Sequence, residues 1–380
     1  MITITNKANC CGCSACYNVC PVKCIKMLPD DEGFLYPRVS IEECIDCDLC
    51  EKTCPFIKVN ESRKPLYAFA SKSVDDDVRK KSSSGGVFMV LAKHIIENGG
   101  VVIGAIFNSE WQVVHSIIDK EEDLSKLQGS KYVQSEIGDS FNVTKELLNK
   151  GRLVLYSGTA CQIAGLKSFL KKDYDSLITV DVVCHGVPSP RVWNDYLNAQ
   201  KEKGEIENIY FRDKRNGWVN YNFTINYKDG KVVSEPHSTN PYMMGFLNDL
   251  YLRPSCHECK VKSGRCGSDI TLGDFWKVEN LFPELNDNRG VSLMLVNTDK
   301  GKKFVKNHSL EMYETDYDKA VIYNSCIEIT TPCSKWHHIF WSSYNQEKDL
   351  LHLITKILKA QHPSVLARVA RRLKRFLRLG

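Results

Sequence analysis

Beyond residue 65, the apolar positions of this 380-residue chain follow two periodicities, which predict strands and helices in turn. The predicted strands are Leu66–Ser71, Val101–Phe107, Arg152–Tyr156 and Leu177–Val183, and the predicted helices are Val87–Asn98, Gln162–Leu170 and Pro190–Ala199. This alternation is typical of an α/β domain with a mixed sheet and flanking helices. Ile209–Arg212 and Val219–Tyr227 have no helix between them, so we expect an antiparallel insertion there.

The first 60 residues carry a different pattern, because ten of the seventeen cysteines lie between Cys10 and Cys54. The spacing C-x2-C-x2-C-x3-C-P occurs twice, at Cys10, Cys13, Cys16 and Cys20 and at Cys44, Cys47, Cys50 and Cys54. This is the bacterial two-cluster ferredoxin spacing, in which the fourth cysteine of each run ligates the other cluster. We therefore predict a small α+β ferredoxin-like domain with two 4Fe–4S clusters, one on Cys10, Cys13, Cys16 and Cys54 and one on Cys44, Cys47, Cys50 and Cys20. Zinc sites commonly use two CxxC pairs, and the doubled eight-ligand pattern disfavours them. Cys11 and Cys24 fall outside the pattern and are expected to be small buried apolar residues.

A second group of cysteines lies in the α/β region. Cys161 and Cys184 follow predicted neighbouring strands, at the edge where open α/β sheets bind ligands, and Cys256 and Cys259 form a CxxC pair. Four such thiolates are sufficient for a third 4Fe–4S cluster. Two alternatives remain: Cys161 opens a predicted helix and could be a reactive thiol of lowered pKa, or these cysteines could be structural. Cys266 is close enough in sequence to compete as a ligand.

Composition and charge narrow the class of protein. The odd number of cysteines and the lack of an apolar leader or spanning segment predict reduced, metal-binding thiols in the cytoplasm. The formal net charge of +5 is concentrated from Lys356 onward, where eight basic residues occur without an acidic one, so a nucleic-acid-binding body is not expected. From Pro363 onward the pattern predicts a basic amphipathic helix that could contact an anionic membrane surface. The alternative is that this helix packs on the body or frays.

Two short segments could contact a cofactor. Ser83, Ser84, Gly85 and Gly86 precede the predicted helix at Val87, where serine caps and backbone N–H groups suit an anion. Lys131 and Tyr132 supply a cation and an aromatic ring in a predicted loop. The G-x-G-x-x-G fingerprint is absent from the sequence, so a nicotinamide cofactor has no positive support.

Together these motifs resemble the coenzyme F-420 hydrogenase/dehydrogenase beta-subunit family, in the version with an N-terminal ferredoxin module. The resemblance covers nearly the whole chain to about residue 340. It rests on Ser83–Gly86, Gly129–Tyr132, Gly158–Gln162, Cys184–Pro188, the Cys256/Cys259 pair and Ser268–Trp276. It implies an FAD-binding domain with its own 4Fe–4S cluster on Cys161, Cys184, Cys256 and Cys259. It also implies flavin contacts at Ser83, Ser84, Gly85, Gly86, Lys131, Tyr132, Gly158 and Thr159. Ala160 replaces the proline usual in the family, which should loosen the turn before Cys161.

From these observations we predict a ferredoxin domain at 1–60, an oxidoreductase domain at 66–345 and a helical tail at 346–380. The predicted function is that of an iron–sulfur flavoprotein, which takes electrons from ferredoxin or another low-potential donor. Its third cluster and FAD would pass them to a soluble or lipid-linked substrate. Some relatives look like parts of surface-polysaccharide pathways, which implies glycosyl-pathway enzymes as partners. The alternative is a non-catalytic electron-transfer subunit of a larger oxidoreductase. The sequence identifies no catalytic residue.

Overall fold

The computed structural model of the chain describes residues 1–306, 309–347 and 349–361. Its strands are β1 (Ile25–Pro29), β2 (Leu35–Val39), β3 (Tyr67–Ser73), β4 (Val101–Phe107), β5 (Val113–Ile118), β6 (Val154–Thr159), β7 (Leu177–Val182), β8 (Ile206–Asp213), β9 (Asn222–Tyr227), β10 (Val232–Pro236), β11 (Ile270–Asp274), β12 (Ser292–Val296) and β13 (Leu310–Thr315). Its helices are α1 (Ala15–Val19), α2 (Leu49–Lys52), α3 (Asp76–Lys81), α4 (Val87–Glu97), α5 (Ser140–Asn149), α6 (Ala160–Leu170), α7 (Pro190–Lys201), α8 (Pro241–Leu247), α9 (Asp299–Val305), α10 (Tyr317–Val321), α11 (Lys335–Tyr344) and α12 (Leu350–Gln361).

A large mixed sheet forms the centre of the α/β region, with strand order β13-β3-β12-β11-β7-β6-β4-β5. Strands β4, β6, β7 and β11 run parallel, and the outer pairs are antiparallel. Strands β8, β9 and β10 form a separate antiparallel sheet, as predicted for the insertion. The predicted fold class, a mixed α/β sheet with flanking helices and a small ferredoxin-like region, is confirmed.

The connection between β6 and α6 differs from the prediction. Ser157, Gly158 and Thr159 belong to β6 and pair with β7, whereas the sequence predicted a turn there. Thr159 then caps α6 in a capping box with Gln162, and Gln162 Oε1 accepts a hydrogen bond from the Thr159 backbone N–H at 2.9 Å. This reciprocal cap begins α6 at Ala160, directly before Cys161. The loosening effect of Ala160 stays a prediction.

The cysteine-rich segment packs directly on the α/β region. The antiparallel pair β1–β2 and the short helices α1 and α2 form the small unit, and α1 lies against α6. Cys13 and Phe56 share one apolar cluster with Ile163 and Phe169 of α6 and α5's Phe141. A Cβ at Gly165 would lie 2.8 Å from the Cys13 sulfur, so a glycine is needed for this approach.

Residues 58–65, predicted to be a linker, are fixed against the α/β region. The Asn60 side-chain amide donates to Arg265 O at 3.1 Å, and the Arg63 guanidinium donates to Ser268 O at 2.6 Å. The segment therefore follows the surface rather than spanning open solvent. The proposed division at 1–60, 66–345 and 346–380 stays a prediction.

The end of the described chain also packs on the body. Leu353, Ile354, Ile357 and Leu358 of α12 are buried in the apolar cluster that includes α7 and α8. The predicted amphipathic helix from Pro363 lies outside the described residues. Within the described part, no helix has both the length and the apolar character needed to cross a membrane.

Candidate functional site

The first cysteine set, defined as Cys10, Cys13, Cys16 and Cys54, is brought together as the crossing pattern predicted. Burial raises the pKa of Cys16, and charges on Cys10 and Cys54 raise it further. Burial and the charge on Cys10 likewise raise the pKa of Cys54. Cys13 also shares an apolar cluster with Cys54, so the four thiols are close neighbours, although Cys54 is 38 residues or more from the other members in the sequence.

The second cysteine set, defined as Cys20, Cys44, Cys47 and Cys50, lines one cavity. Cys24 also lines this cavity, and its sulfur lies 3.5 Å from that of Cys20. Cys47 is exposed, whereas Cys50 is buried. The second set therefore lies at the outer side of the ferredoxin-like unit.

The third cysteine set, defined as Cys161, Cys184, Cys256 and Cys259, lines one cavity. Cys161 lies at the start of α6 and Cys184 follows β7, so both come from the carboxyl ends of neighbouring parallel strands. Cys256 and Cys259 come from the loop after α8, and the Cys256 sulfur accepts a hydrogen bond from the Val187 N–H at 3.4 Å. Two strand ends and one loop thus bring four thiols to one cavity.

The thiols of the third set have raised pKa values. Burial raises the pKa of Cys184 and raises that of Cys256 to about 12. The pKa of Cys161 is also raised, first by its interaction with the Cys11 thiol and then by burial. This direction opposes the alternative of a reactive Cys161 thiol with a lowered pKa.

Cys266 lines the same cavity but has different neighbours. Its sulfur lies 3.6 Å from Ser268 Oγ, and burial followed by the charge on Asp181 raises its pKa to about 12. By contrast, charges on Cys161, Cys256 and Cys259 raise the pKa of Cys184. The geometry therefore favours the third set without Cys266.

The three sets follow one another through the molecule. Cys16 and Cys54 of the first set share an apolar cluster with Cys50 of the second. On the other side, Cys11 shares an apolar cluster with Cys13 and lines the cavity of the third set, so it lies between the first and third sets. The order from the exposed Cys47 inward is the second, first and third set.

Thiolate sulfur is the donor that iron–sulfur clusters require, and each set supplies four. In the described part of the chain, no three His, Cys, Asp or Glu side chains converge closely enough to chelate one metal ion. A cubane cluster does not need that convergence, because each thiolate binds a different iron at a separate corner. The donor sets therefore fit 4Fe–4S clusters.

The residues predicted to contact a flavin are brought together only in part. Ser130 donates to Ser83 Oγ from its backbone N–H at 2.7 Å and from its hydroxyl at 2.9 Å, which joins the serine-glycine segment to the Lys131–Tyr132 loop. The Gly85 N–H is already bonded to Ser292 Oγ at 3.0 Å. Thr159 lines the cavity of the third set, whereas Ser83–Gly86, Gly158, Lys131 and Tyr132 do not.

Two cationic side chains, Lys131 and Arg212, lie at the Lys131–Tyr132 loop. Burial lowers the pKa of Lys131 to about 8, and its ammonium lies 5.8 Å from the centre of the Phe107 ring. Arg212 Nη1 donates to Asp274 at 2.5 Å and to the Tyr132 hydroxyl at 3.5 Å, while its buried Nε and Nη2 have no hydrogen-bond partner. The site thus has unused donors for an anionic or polar ligand.

Sequence reasoning missed several residues of these sites. Cys11 was expected only to be buried, Arg212 lies in the antiparallel insertion, and Arg253 precedes Cys256 by three residues. Their roles arise from long-range contacts, and no spacing rule marks them. A charged residue close to a CxxC pair is the weak signal that could have drawn attention to Arg253.

The fold and the cysteine sets define an iron–sulfur protein of the electron-transfer class. A 4Fe-4S dicluster domain model matches residues 9–57. Models for the N-terminal and C-terminal parts of the coenzyme F420 hydrogenase/dehydrogenase beta subunit match residues 68–141 and 151–318. The chain belongs to the coenzyme F420 hydrogenase/dehydrogenase beta-subunit family, with a dicluster domain at its N-terminal side.

Individual similar proteins cover very different shares of this chain. An uncharacterized polyferredoxin-like protein of Methanocaldococcus jannaschii is 32% identical over 66 residues, which cover 15% of this chain and 39% of that protein. The chain thus spans about two fifths of that relative. A ferredoxin of the same organism is 34% identical over 65 residues, 16% of this chain and 83% of the ferredoxin. A chain of the F420-reducing [NiFe] hydrogenase complex of Methanosarcina barkeri superimposes with a TM-score of 0.47 at 17% identity, covering 75% of this chain and 94% of that chain.

Proposed function

We propose that this chain is an electron-transfer subunit of a larger oxidoreductase, with a third 4Fe–4S cluster held by Cys161, Cys184, Cys256 and Cys259. The observation that carries the proposal is the position of Cys11, which packs in one apolar cluster with Cys13 of the first set and lines the cavity of the third set. Each cluster, when bound, would accept and release one electron at a time. The cysteine sets would thus form a continuous row from the protein surface to the carboxyl edge of the sheet.

The outer end of this row supports an external redox partner. Cys47 is exposed, and the neighbouring Ile41 and Ile45 are 73% and 60% exposed. Between Ser40 and Glu51 the chain has five acidic residues and no basic one. A ferredoxin-like or other low-potential donor with a basic contact surface would complement this end of the molecule. The family, named for hydrogenase and dehydrogenase subunits, supports an oxidoreductase as the partner at the inner end.

The inner end supports a second candidate function, that of a flavin-containing oxidoreductase. Its support is the pair of cations formed by the half-buried Lys131 and the buried Arg212, because an FAD pyrophosphate needs such donors. A flavin would connect one-electron carriers with two-electron chemistry on a substrate. The substrate, including a lipid-linked one from a polysaccharide pathway, and a membrane contact of the tail remain predictions.

The test is to count iron and released flavin in protein purified without oxygen. We expect about twelve irons per chain, since each of three clusters holds four. Cys256→Ser should lower the count to about eight, whereas Cys266→Ser, the matched control in the same cavity, should leave it unchanged. A count of about eight in the unaltered protein would overturn the third cluster. One flavin per chain would favour the second candidate over the first.

A further inference from the structure

Arg253 is a buried charge without a carboxylate partner. Its exposed fraction is 0%, and none of the ion pairs among the described residues includes it. Glu32 lies near enough for the Arg253 charge to act on it, but burial raises the pKa of that carboxyl to about 7. Two other buried arginines behave differently: Arg79 pairs with Asp287 at 2.7 Å, and Arg212 pairs with Asp274 at 2.5 Å. Because an uncompensated buried charge is costly, Arg253 needs a negative counter-charge of another kind.

The contacts of Arg253 point to the first cysteine set. Its Nε donates to Cys10 O at 2.8 Å, and its Nη2 lies 3.7 Å from the Cys10 sulfur and donates to Leu35 O at 2.9 Å. Gln134 holds the third side of the guanidinium, accepting from Nη1 at 2.9 Å. The cation also lies 4.3 Å from the centre of the Tyr36 ring. The guanidinium is therefore fixed against a predicted cluster ligand.

The same guanidinium faces the third set. Arg253 lines the cavity of Cys161, Cys184, Cys256 and Cys259. Gly12, with φ +70°, leaves room for it, since a Cβ there would lie 2.7 Å from Nη1. The chain thus places one permanent positive charge between two groups of thiols.

We propose that Arg253 is the built-in counter-charge of the first cysteine set and raises the reduction potential of the cluster held there. Reduction adds one electron from the low-potential donor and one negative charge, and no bond is made or broken. A fixed positive charge beside Cys10 stabilises the reduced form, and an N–H donor to a ligand sulfur acts in the same direction. The inference rests on the proposed function, but for its test it needs only the N-terminal clusters.

The test compares Arg253→Gln, Arg253→Lys and Gln134→Ala in the full chain. Iron is counted first, and each protein is then titrated with dithionite and mediator dyes while the reduced clusters are followed by electron paramagnetic resonance. Arg253→Gln should lower the midpoint potential of the cluster on the first set. The expected shift is about 59 mV, which for one electron corresponds to about a tenfold loss in the equilibrium constant for reduction. The midpoint of the second set, which lies farther from Arg253, should stay unchanged.

The other two variants separate charge from packing. Arg253→Lys keeps the charge and loses the planar fork, so its midpoint should stay close to the original. Gln134→Ala removes the hydrogen bond that Gln134 accepts from Arg253 and keeps the Arg253 charge. The midpoint potential of this variant should therefore also stay unchanged. An unshifted midpoint in an iron-complete Arg253→Gln protein would overturn the proposal, as would an equal shift in Gln134→Ala. Loss of iron in both Arg253 variants would also overturn it, because the fork geometry and not the charge would then be the requirement. A low total iron count in the unaltered protein bears on the third cluster alone.

Discussion

His115 is a half-buried histidine whose ring is held in its neutral form. One ring nitrogen, Nε2, lies 2.9 Å from Ser157 O, and the other, Nδ1, lies 3.0 Å from Ser135 Oγ. Burial lowers the pKa of His115 to about 4. A second ring proton would place a charge in this enclosed position and remove the acceptor that faces Ser135.

This environment predicts a loss of stability in mild acid. A histidine in the unfolded chain titrates near 6.5, so between pH 6.5 and pH 4 the unfolded state binds the extra proton and the folded state does not. The free energy of unfolding should therefore fall by up to about 3 kcal/mol as the pH falls through that window. Urea unfolding at several pH values measures it. His115→Asn should flatten the dependence, and the exposed His352→Asn should not. An equal slope in all three proteins would contradict the assignment.

Single residues differ in how far the sequence could predict them. The cysteine spacing predicted the first and second sets, because cluster geometry imposes local spacing on the ligands. Arg253 and Cys11 could not be predicted, because their roles depend on contacts with residues more than a hundred positions away. A burial pattern predicts that a residue is inside, and it does not give the neighbours.

Among the elements, α6 connects the ferredoxin-like unit with the third cysteine set. Its first turn carries Cys161, and one face packs on the ferredoxin-like unit around Cys13. The helix was predicted from its apolar spacing, but the sequence placed its start two residues late. The capping box of Thr159 and Gln162 begins the helix at Ala160, and sequence reasoning had treated Ser157–Thr159 as a turn.

Gly165 provides a test in which helix propensity and packing predict opposite signs. Alanine is favoured over glycine inside a helix by about 1 kcal/mol. In this helix, however, the added Cβ would lie 2.8 Å from the Cys13 side chain. Gly165→Ala should therefore lower the unfolding temperature and the iron content. Ser168→Ala on the same helix should change neither. A more stable, iron-complete Gly165→Ala protein would show that the two units are not packed as described.

On the scale of the whole molecule, the fold class and the strand-helix alternation could be predicted from periodicity. The sheet order could not, because β3, β12 and β13 pair across long stretches of sequence. The sequence favoured a third set at two neighbouring strand ends. It did not show that this set would lie beside the first set rather than at a distance from it.

The proposed electron path requires that the first and third cysteine sets hold neighbouring clusters. Electron paramagnetic resonance of the fully reduced protein tests it most directly, because close paramagnetic clusters broaden and split each other's signals. We expect the signals of the clusters on the first and third sets to interact. The spectrum should become simpler when Cys256→Ser removes the cluster of the third set. The Cys266→Ser spectrum should match that of the unaltered protein. A reduced spectrum that Cys256→Ser leaves unchanged would contradict the account.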